Sequence, residues 1–181
     1  MKLYLMRHGI AIERGMYPED GDRPLTDVGI KKTQRVVQQL QTLNLSFDLI
    51  VTSPLVRAQQ TAAILRAQYP NSPLEISDHL APEGNLPEFL TWLFSYHQPN
   101  NQPDNESSPQ SLGKNSDTRV IAIGHEPDLG NWAELLLYGQ INGAILLKKA
   151  GIIGLHLPTT GEAIAQSQLF WLTSPKLLVV D

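Results

Sequence analysis

The sequence predicts an α/β fold with a mostly parallel central sheet. Short apolar runs alternate along the chain with longer segments that have helical periodicity. The run at 119–124, Arg-Val-Ile-Ala-Ile-Gly, is apolar in all of its central positions, which is typical of a parallel strand buried on both faces. Polar groups follow several of these runs directly. Ligands bind beyond the carboxyl ends of the strands in such sheets, so these groups are the candidates for a functional site.

Length and composition indicate one globular domain spanning 1–181. The chain has 181 residues, of which 41% are hydrophobic and 18% are charged. A net charge of −4 argues against a nucleic-acid partner. The absence of cysteine excludes disulfides, a thiolate nucleophile and zinc–cysteine sites. With neither a signal peptide nor a membrane-spanning apolar run, we expect a cytoplasmic protein with no membrane partner and favour a monomer.

The first predicted strand, Leu3 to Met6, leads directly into Arg7, His8 and Gly9. It delivers a fixed cation and a titratable imidazole, side by side, to the end of the strand. After a polar loop, Thr26 is a candidate N-cap for the first helix. The buried stripe of that helix is predicted to contain Thr33, Val36, Val37, Leu40 and Leu43. Gly29 lies near its start and weakens the first turn by about 1 kcal/mol relative to alanine, which close packing would explain.

The second strand is predicted at 47–52, and Ser53 and Pro54 are placed to cap and open the next helix. Arg57 falls in the first turn, where the helix dipole already carries positive charge. Two interpretations remain open. Arg57 points into water and tolerates the repulsion, or an anion binds there and both positive features stabilise it.

The second half of the chain continues the alternation. A short strand at 74–76 and a helix at 86–96 precede a polar stretch at about 97–118, which is predicted to be a mobile surface loop. The strand at 119–124 is followed by His125, and Asp128 is a candidate cap for a helix that ends near Tyr138. Late strands are predicted at 152–157 and 169–172. The segment 143–151, with its two lysines, is ambiguous.

Parallel strands would bring Arg7, His8, Arg57 and His125 to one edge of the sheet. Arginine matches phosphate oxygens with its planar fork, and an imidazole is available as a nucleophile, so the pattern predicts a pocket for a phosphoryl dianion. A metal site is the alternative. It is disfavoured because two arginines would repel a cation and no histidine pair has a metal-binding spacing. The other histidines have no such setting and are interpreted as surface or structural: His79, His97 and His156.

Several segments resemble, in order, the motifs of the histidine phosphatase superfamily, also called phosphoglycerate mutase-like. They are Leu5–Gly9, Arg23–Thr26 with Gly29, Ser53–Ala62, and Gly124-His125. The small size and the ending Trp171–Pro175 resemble the SixA-type branch, which consists of phosphohistidine phosphatases of proteins. The resemblance implies a three-layer α/β sandwich. It also implies a phosphohistidine intermediate on His8, with Arg7, Arg57 and His125 binding the phosphoryl oxygens, and no metal or other cofactor.

The resemblance also implies protonation states. His8 must be unprotonated on its attacking nitrogen, so its other nitrogen needs an acceptor such as a backbone carbonyl, whereas His125 is expected to be protonated. Residues 10–13 lack the Ser and Asn of mutase-like members, which argues against a sugar-phosphate mutase. Glu83 is the nearest candidate for the family's general acid, but it can equally be a solvated loop carboxylate. A weak acid would itself favour phosphohistidine, because its phosphorus–nitrogen bond is labile.

Three classes of function therefore remain. The first is a phosphatase, acting on a partner protein that carries phosphohistidine or on small phosphate esters. The second is a non-catalytic module that binds a phosphorylated partner. The third is an interaction protein that acts through its polar loop. The complete set of Arg7, His8, Arg57 and His125 favours the first class, because a binding module would not need a nucleophile.

Overall fold

The computed structural model describes residues 1–96, 117–158 and 162–178. The strands are β1 (Lys2–Arg7), β2 (Leu49–Thr52), β3 (Leu74–Ile76), β4 (Arg119–Gly124), β5 (Ile152–His156) and β6 (Gln168–Thr173). The helices are α1 (Asp27–Thr42), α2 (Val56–Gln68), α3 (Leu86–Ser95), α4 (Asp128–Tyr138) and α5 (Pro175–Leu178). Within the described residues, no helix is long and apolar enough to cross a membrane.

All six strands form one sheet in the order β3-β2-β4-β1-β5-β6. β1, β2, β3 and β4 are mutually parallel, and β5 and β6 are antiparallel to their neighbours. The predicted α/β fold with a mostly parallel sheet is confirmed. The antiparallel pairing of β5 with β1 has a consequence for the site: the loop that precedes β5 ends beside the carboxyl end of β1.

Helices cover both faces of the sheet. Alternate residues of β1 point to opposite sides, so that Leu3 and Leu5 pack into one core cluster and Tyr4 and Met6 into the other. The first cluster includes buried residues of α3 and α4, and the second includes buried residues of α1 and α2. This arrangement is the expected three-layer sandwich.

Most predicted element positions are confirmed, but some of their details were wrong. Leu43 does not belong to the buried stripe of α1, because it lies just past the last turn and is 49% exposed. Ser53 is not the N-cap of α2, which begins at Val56 with Leu55 at the cap position. The predicted cap Thr26 is confirmed, since its side chain accepts a hydrogen bond from the Gly29 amide.

Close packing explains the glycine at position 29, as the sequence suggested. A Cβ atom at this position would lie 2.0 Å from the Ile10 carbonyl oxygen. The glycine therefore lets α1 approach the backbone that follows His8.

Of the predicted loop at 97–118, residues 97–116 lie outside the described residues, as does His97. Thr118 is buried, and its carbonyl accepts a hydrogen bond from the Lys2 amide, 2.7 Å away. Thr118 is therefore held against β1, although the predicted loop extends to about 118.

Candidate active site

The end of β1 places His8 in a fixed orientation. The His8 amide donates to the Gly124 carbonyl at the end of β4, 3.1 Å away. In the side chain, Nδ1 lies 2.8 Å from the Gly9 carbonyl oxygen, so it carries the proton and donates it there. The Nε2 lone pair is consequently left for the pocket. The Gly9 carbonyl is therefore the backbone acceptor that was predicted for the second nitrogen of His8.

α2 holds this segment from the other side. The Gly9 amide donates to Thr61 Oγ1 at 3.0 Å, and the Thr61 hydroxyl donates to the Arg57 carbonyl at 2.8 Å. The nucleophile candidate and the arginine of α2 are thus linked through one buried threonine. A spacing of four residues in α2 brings Arg57 and Thr61 to the same helix face.

His125 follows β4 and lies beside His8, with 5.0 Å between the two ring centroids. Its Nε2 is 2.8 Å from Ser53 Oγ, and its Nδ1 is buried without a hydrogen-bond partner in the structure. Ser53, which was predicted to cap α2, instead orients this imidazole. The register places Thr52 beside Ile123, so the residues that follow β2 and β4 meet.

Asp20 brings three arginines together at the pocket. Its carboxylate lies 3.0 Å from Arg57 Nη2, 2.9 Å from Arg23 Nε and 3.2 Å from Arg14 Nε. Arg57 Nη1 also donates to the Asp20 carbonyl at 2.7 Å, whereas its buried Nε has no partner. Of the two interpretations of Arg57, the one in water is wrong, because the residue is 2% exposed. Sequence reasoning did not identify Asp20 or Arg14.

Arg7 is anchored by the loop that precedes β5. Its Nη1 donates to the Leu147 carbonyl at 2.7 Å, and the Leu147 amide donates to Glu126 Oε1 at 3.0 Å. The buried Glu134 carboxylate accepts hydrogen bonds from the backbone amides of Asn142, Gly143, Ala144 and Ile145. Two carboxylates of the α4 region therefore hold the loop that orients Arg7.

The two histidines and the arginines described above line one pocket of about 490 Å³. It contains all five residues predicted from the sequence: Arg7, His8, Arg57, Glu83 and His125. The pocket is lined by five cationic side chains, since Arg14, Arg23 and Lys149 add to Arg7 and Arg57. It is lined by three carboxylates, those of Glu83, Glu126 and Asp128. The excess of positive charge favours an anionic ligand.

The acid candidate Glu83 lies at the exposed rim of this pocket, in a backbone conformation with a φ of 67°. Asp128 was predicted to cap α4, but its side chain makes no capping hydrogen bond. It accepts a hydrogen bond from the Glu83 amide instead, at 3.0 Å. Burial raises the pKa of Asp128, and the nearby charge of Glu83 raises it further. Two neighbouring carboxyl groups are therefore available on this side of the pocket.

Burial lowers the pKa of His8 to about 2, and the charges of Lys149, His125 and Arg57 lower it further. Burial likewise lowers the pKa of His125 to about 3, with Arg57 and Lys149 as the next causes. His8 is therefore neutral, as predicted. The expectation that His125 is protonated was wrong for the empty pocket, because its cationic neighbours and its burial oppose a further positive charge.

Lys149 also lines the pocket, although no motif or periodicity in the sequence predicts its position there. Its Nζ lies 3.3 Å from His8 Nε2, and burial, followed by the charges of Arg7 and Arg57, lowers its pKa to about 8. The segment 143–151 has no clear periodicity, and only the pairing of β5 with β1 reveals where it lies. Two adjacent lysines before an apolar strand were the one available hint.

The remaining described histidines lie outside the pocket, as expected. His79 Nδ1 is 3.6 Å from Glu88 Oε2, and the exposed His156 ring packs against Phe170 with 4.6 Å between centroids. Among the residues that the structure describes, no group of three or more His, Asp or Glu side chains is arranged to bind a metal ion.

The arrangement is suited to phosphoryl chemistry. A neutral imidazole with a directed lone pair lies among guanidinium groups, of which those of Arg7 and Arg57 each contain a buried Nε without a hydrogen-bond partner in the structure. Such groups stabilise charge on transferring phosphoryl oxygens, and phosphoryl transfer depends mainly on positioning and electrostatics.

Comparison with known proteins supports this chemistry. A family model of the histidine phosphatase superfamily (branch 1) matches residues 3–83, which include Arg7, His8 and Arg57. An uncharacterised protein of Picosynechococcus sp. is 45% identical over 180 residues, which cover 99% of each chain. The adenosylcobalamin/alpha-ribazole phosphatase of Escherichia coli is 33% identical over 109 residues, which cover 59% of this chain and half of that protein.

Solved structures show the same fold. The protein histidine phosphatase SixA, complexed with tungstate, superimposes with a TM-score of 0.77 at 22% identity, over 98% of this chain and 99% of that one. The alpha-ribazole phosphatase of Shigella flexneri gives a TM-score of 0.63 at 18% identity, over 97% of both chains.

Proposed function

We propose that this chain, which belongs to the histidine phosphatase superfamily, hydrolyses phosphohistidine in a partner protein, without a metal ion, through a phosphorylated His8. The observation that carries this proposal is the fixed tautomer of His8. Because Nδ1 donates to the Gly9 carbonyl, Nε2 presents its lone pair to a pocket lined by cations. A non-catalytic phosphate-binding module would have no use for a lone pair held in this way.

The reaction proceeds in two displacements. The Nε2 lone pair of His8 attacks phosphorus, a bond forms between phosphorus and Nε2, and the bond from phosphorus to the substrate imidazole breaks. The departing imidazole keeps the bonding electron pair and takes up one proton from solvent, since His8 retains its Nδ1 proton on the Gly9 carbonyl. A water molecule then attacks phosphorus, the bond to Nε2 breaks, and phosphate is released while His8 regains its lone pair.

Arg7 and Arg57 bind the phosphoryl oxygens during both steps. Both side chains line the pocket, and each guanidinium group has more N–H donors than the hydrogen bonds it makes among the described residues, so each can donate to a ligand. His125 is neutral in the empty pocket. A bound dianion offsets the repulsion from its cationic neighbours and raises its pKa, so His125 donates a hydrogen bond to the phosphoryl group when substrate is bound.

Two observations favour a phosphoprotein substrate. The fold similarity to SixA extends over nearly the whole of both chains. The rim residues Arg14 and Glu83 are exposed, which is compatible with a phosphorylated side chain presented by a larger partner. An imidazole leaving group also needs less help from an acid than an alkoxide does, because its phosphorus–nitrogen bond is the weaker one.

A phosphatase of small phosphate esters is the second candidate, and the carboxyl pair of Glu83 and Asp128 favours it. Alkoxide leaving groups require a proton, and a carboxyl group whose pKa is raised can supply one. The ribazole phosphatases among the similar proteins act on such an ester. In this case Glu83, or Asp128 beside it, is the acid.

The deciding experiment measures phosphate release from a phosphohistidine-bearing protein domain and from a panel of sugar phosphates, with EDTA present. We expect wild type to turn over the phosphohistidine domain and His8→Ala to lose about 10³-fold or more of that activity, since the covalent step has no substitute. Rapid denaturation during turnover should trap an acid-labile, alkali-stable phosphoryl group in wild type.

Three results would contradict the proposal. Turnover of small esters alone would assign the second function and make Glu83→Gln the next variant. Full activity of His8→Ala would remove the covalent intermediate. Loss of turnover in EDTA, restored by a divalent ion, would overturn the metal-independent mechanism. His79→Ala is the matched control, because His79 lies outside the pocket and should leave turnover unchanged.

A further inference from the structure

Lys149 is a charged group in the pocket to which the proposed mechanism assigns no role. Its position is set by the backbone rather than by a flexible loop. The Ala150 amide donates to the carbonyls of Arg7 and His8, at 3.1 and 3.2 Å, and the Arg7 amide donates to the Gly151 carbonyl at 3.1 Å. Lys149 is therefore held beside the nucleophile by three backbone hydrogen bonds.

The electrostatic surroundings of Lys149 are unfavourable without a ligand. Arg14, Arg23 and Arg57 share the Asp20 carboxylate, but no carboxylate of the described residues forms an ion pair with Lys149. The ammonium group is half-buried and faces further cations. A cation held in such a position is stabilised when an anion enters the pocket, because the anion compensates both burial and repulsion.

The distance between Lys149 Nζ and His8 Nε2 restricts the role of the lysine. In an in-line displacement the leaving group lies on the side of phosphorus opposite the nucleophile, whereas the three equatorial oxygens lie between. An ammonium group 3.3 Å from Nε2 is on the side of the nucleophile. It can reach an equatorial oxygen by a small side-chain rotation, but it is on the wrong side for protonating the leaving group.

We infer that Lys149 is a substrate-binding residue of this phosphatase, which donates to His8 Nε2 in the empty pocket and to an equatorial phosphoryl oxygen when substrate is bound. This inference rests on the proposed function, since it assumes that Nε2 is the attacking atom. The shift of the ammonium group frees the lone pair for attack. Lys149 keeps its proton throughout and stabilises the negative charge of the dianion before and after transfer to His8.

The test uses tungstate, an unreactive dianion that mimics phosphate, with calorimetry of wild type, Lys149→Met and Lys149→Arg. At pH 7 the methionine variant should bind tungstate about 10- to 100-fold more weakly, which corresponds to the loss of one charge-assisted hydrogen bond. Wild-type affinity should fall as the pH rises from 7 to 9.5, while tungstate itself keeps its charge. The methionine variant should lose this pH dependence, and the arginine variant should retain tight binding at high pH.

Lys148→Met is the matched control, because its side chain is exposed and is not part of the pocket. It should bind tungstate like wild type. Tungstate affinity of Lys149→Met within twofold of wild type, or an unchanged pH dependence, would overturn the inference. A variant that binds tungstate normally but loses turnover of alkyl esters would also overturn it, and would assign the lysine to the leaving group.

The measurement separates this inference from the proposed function. A wild type that fails to hydrolyse phosphohistidine but binds tungstate through Lys149 would overturn the choice of substrate and support the lysine contact. If Lys149→Met does not fold, as judged by circular dichroism, the arginine variant and the wild-type pH series still decide the result.

Discussion

The two histidines proposed to act in this pocket are oriented by neighbours that do not line it. The Nδ1 of His8 is fixed by a backbone carbonyl, and the Nε2 of His125 is fixed by the Ser53 hydroxyl. The first interaction cannot be removed by changing a side chain. The second can, so it offers the more direct test of how much orientation contributes.

Replacing Ser53 by alanine should lower kcat about 10-fold, because the His125 ring would lose the one hydrogen bond that it makes among the described residues and would rotate away from the phosphoryl group. Steady-state kinetics on the preferred substrate measures the change. Ser72→Ala is the matched control, since Ser72 is also buried and donates to the Phe47 carbonyl at 2.6 Å, remote from the pocket. A kcat for Ser53→Ala equal to that of the control would show that packing alone orients His125.

At the scale of the elements, the loop between α4 and β5 determines the positions of two cations. It supplies the Leu147 carbonyl that anchors Arg7, and it carries Lys149. The loop has no regular secondary structure of its own, so its backbone amides need other partners. Glu134 of α4 supplies these partners for four successive residues.

Glu134→Gln should therefore destabilise the protein and weaken tungstate binding at the same time. A glutamine side chain directs an amide group, which is a donor, at backbone donors that the carboxylate now satisfies. We expect a decrease of several degrees in Tm and a several-fold weaker tungstate affinity. Glu88→Gln, at an exposed position with only a loose ion pair to His79, is the control and should change neither value.

If Glu134→Gln lowered Tm without affecting tungstate affinity, the loop would hold its shape through β5 alone. The pKa of Glu134 is lowered by these backbone hydrogen bonds. Its contribution to stability is therefore present at neutral pH and is lost only as the pH falls below the ordinary range of a glutamate.

At the scale of the whole molecule, the sequence predicted the elements and site residues that a local pattern of residues identifies. It did not predict contacts that depend on how distant strands pair. β4 was predicted with its observed bounds, because a continuous apolar run with a glycine at its end leaves little ambiguity. Arg7, His8 and His125 were predicted to lie together because each ends or directly follows a strand, and Arg57 because it lies in the first turn of the helix after a strand; all four line the pocket. Lys149 was not assigned to the site, because an antiparallel pairing between distant segments brings it to His8.

The protonation state of His125 also depends on three-dimensional structure. The pKa of His125 depends on how deeply the ring is buried and on how many cations surround it. Those cations come from α2 and from the loop before β5, which are far apart in the chain. A motif identifies the residue but does not count its neighbours, so the sign of the shift became clear only in three dimensions.

The buried neutral histidines should make the stability of the empty protein depend on pH. Both have lowered pKa values in the folded state, about 2 for His8 and about 3 for His125, against about 6.5 when unfolded. Between the folded and unfolded pKa values, the unfolded state binds more protons than the folded state. The contribution of the neutral histidines to the free energy of unfolding is therefore complete above pH 6.5 and is lost progressively as the pH falls. From pH 7 to 5 the free energy of unfolding should decrease by about 2 kcal/mol for each histidine, as an upper value.

Urea unfolding at the two pH values measures this loss. The double variant His8→Gln, His125→Gln is the control, because glutamine is a polar side chain of similar size that does not ionise. The carboxylates with lowered pKa values, such as Asp20, contribute equally to both proteins and cancel in the difference. Saturating tungstate should diminish the loss in wild type, since a bound dianion raises both histidine pKa values toward those of the unfolded chain. A double variant as sensitive to pH as wild type would mean that the two imidazoles are not neutral in the folded protein.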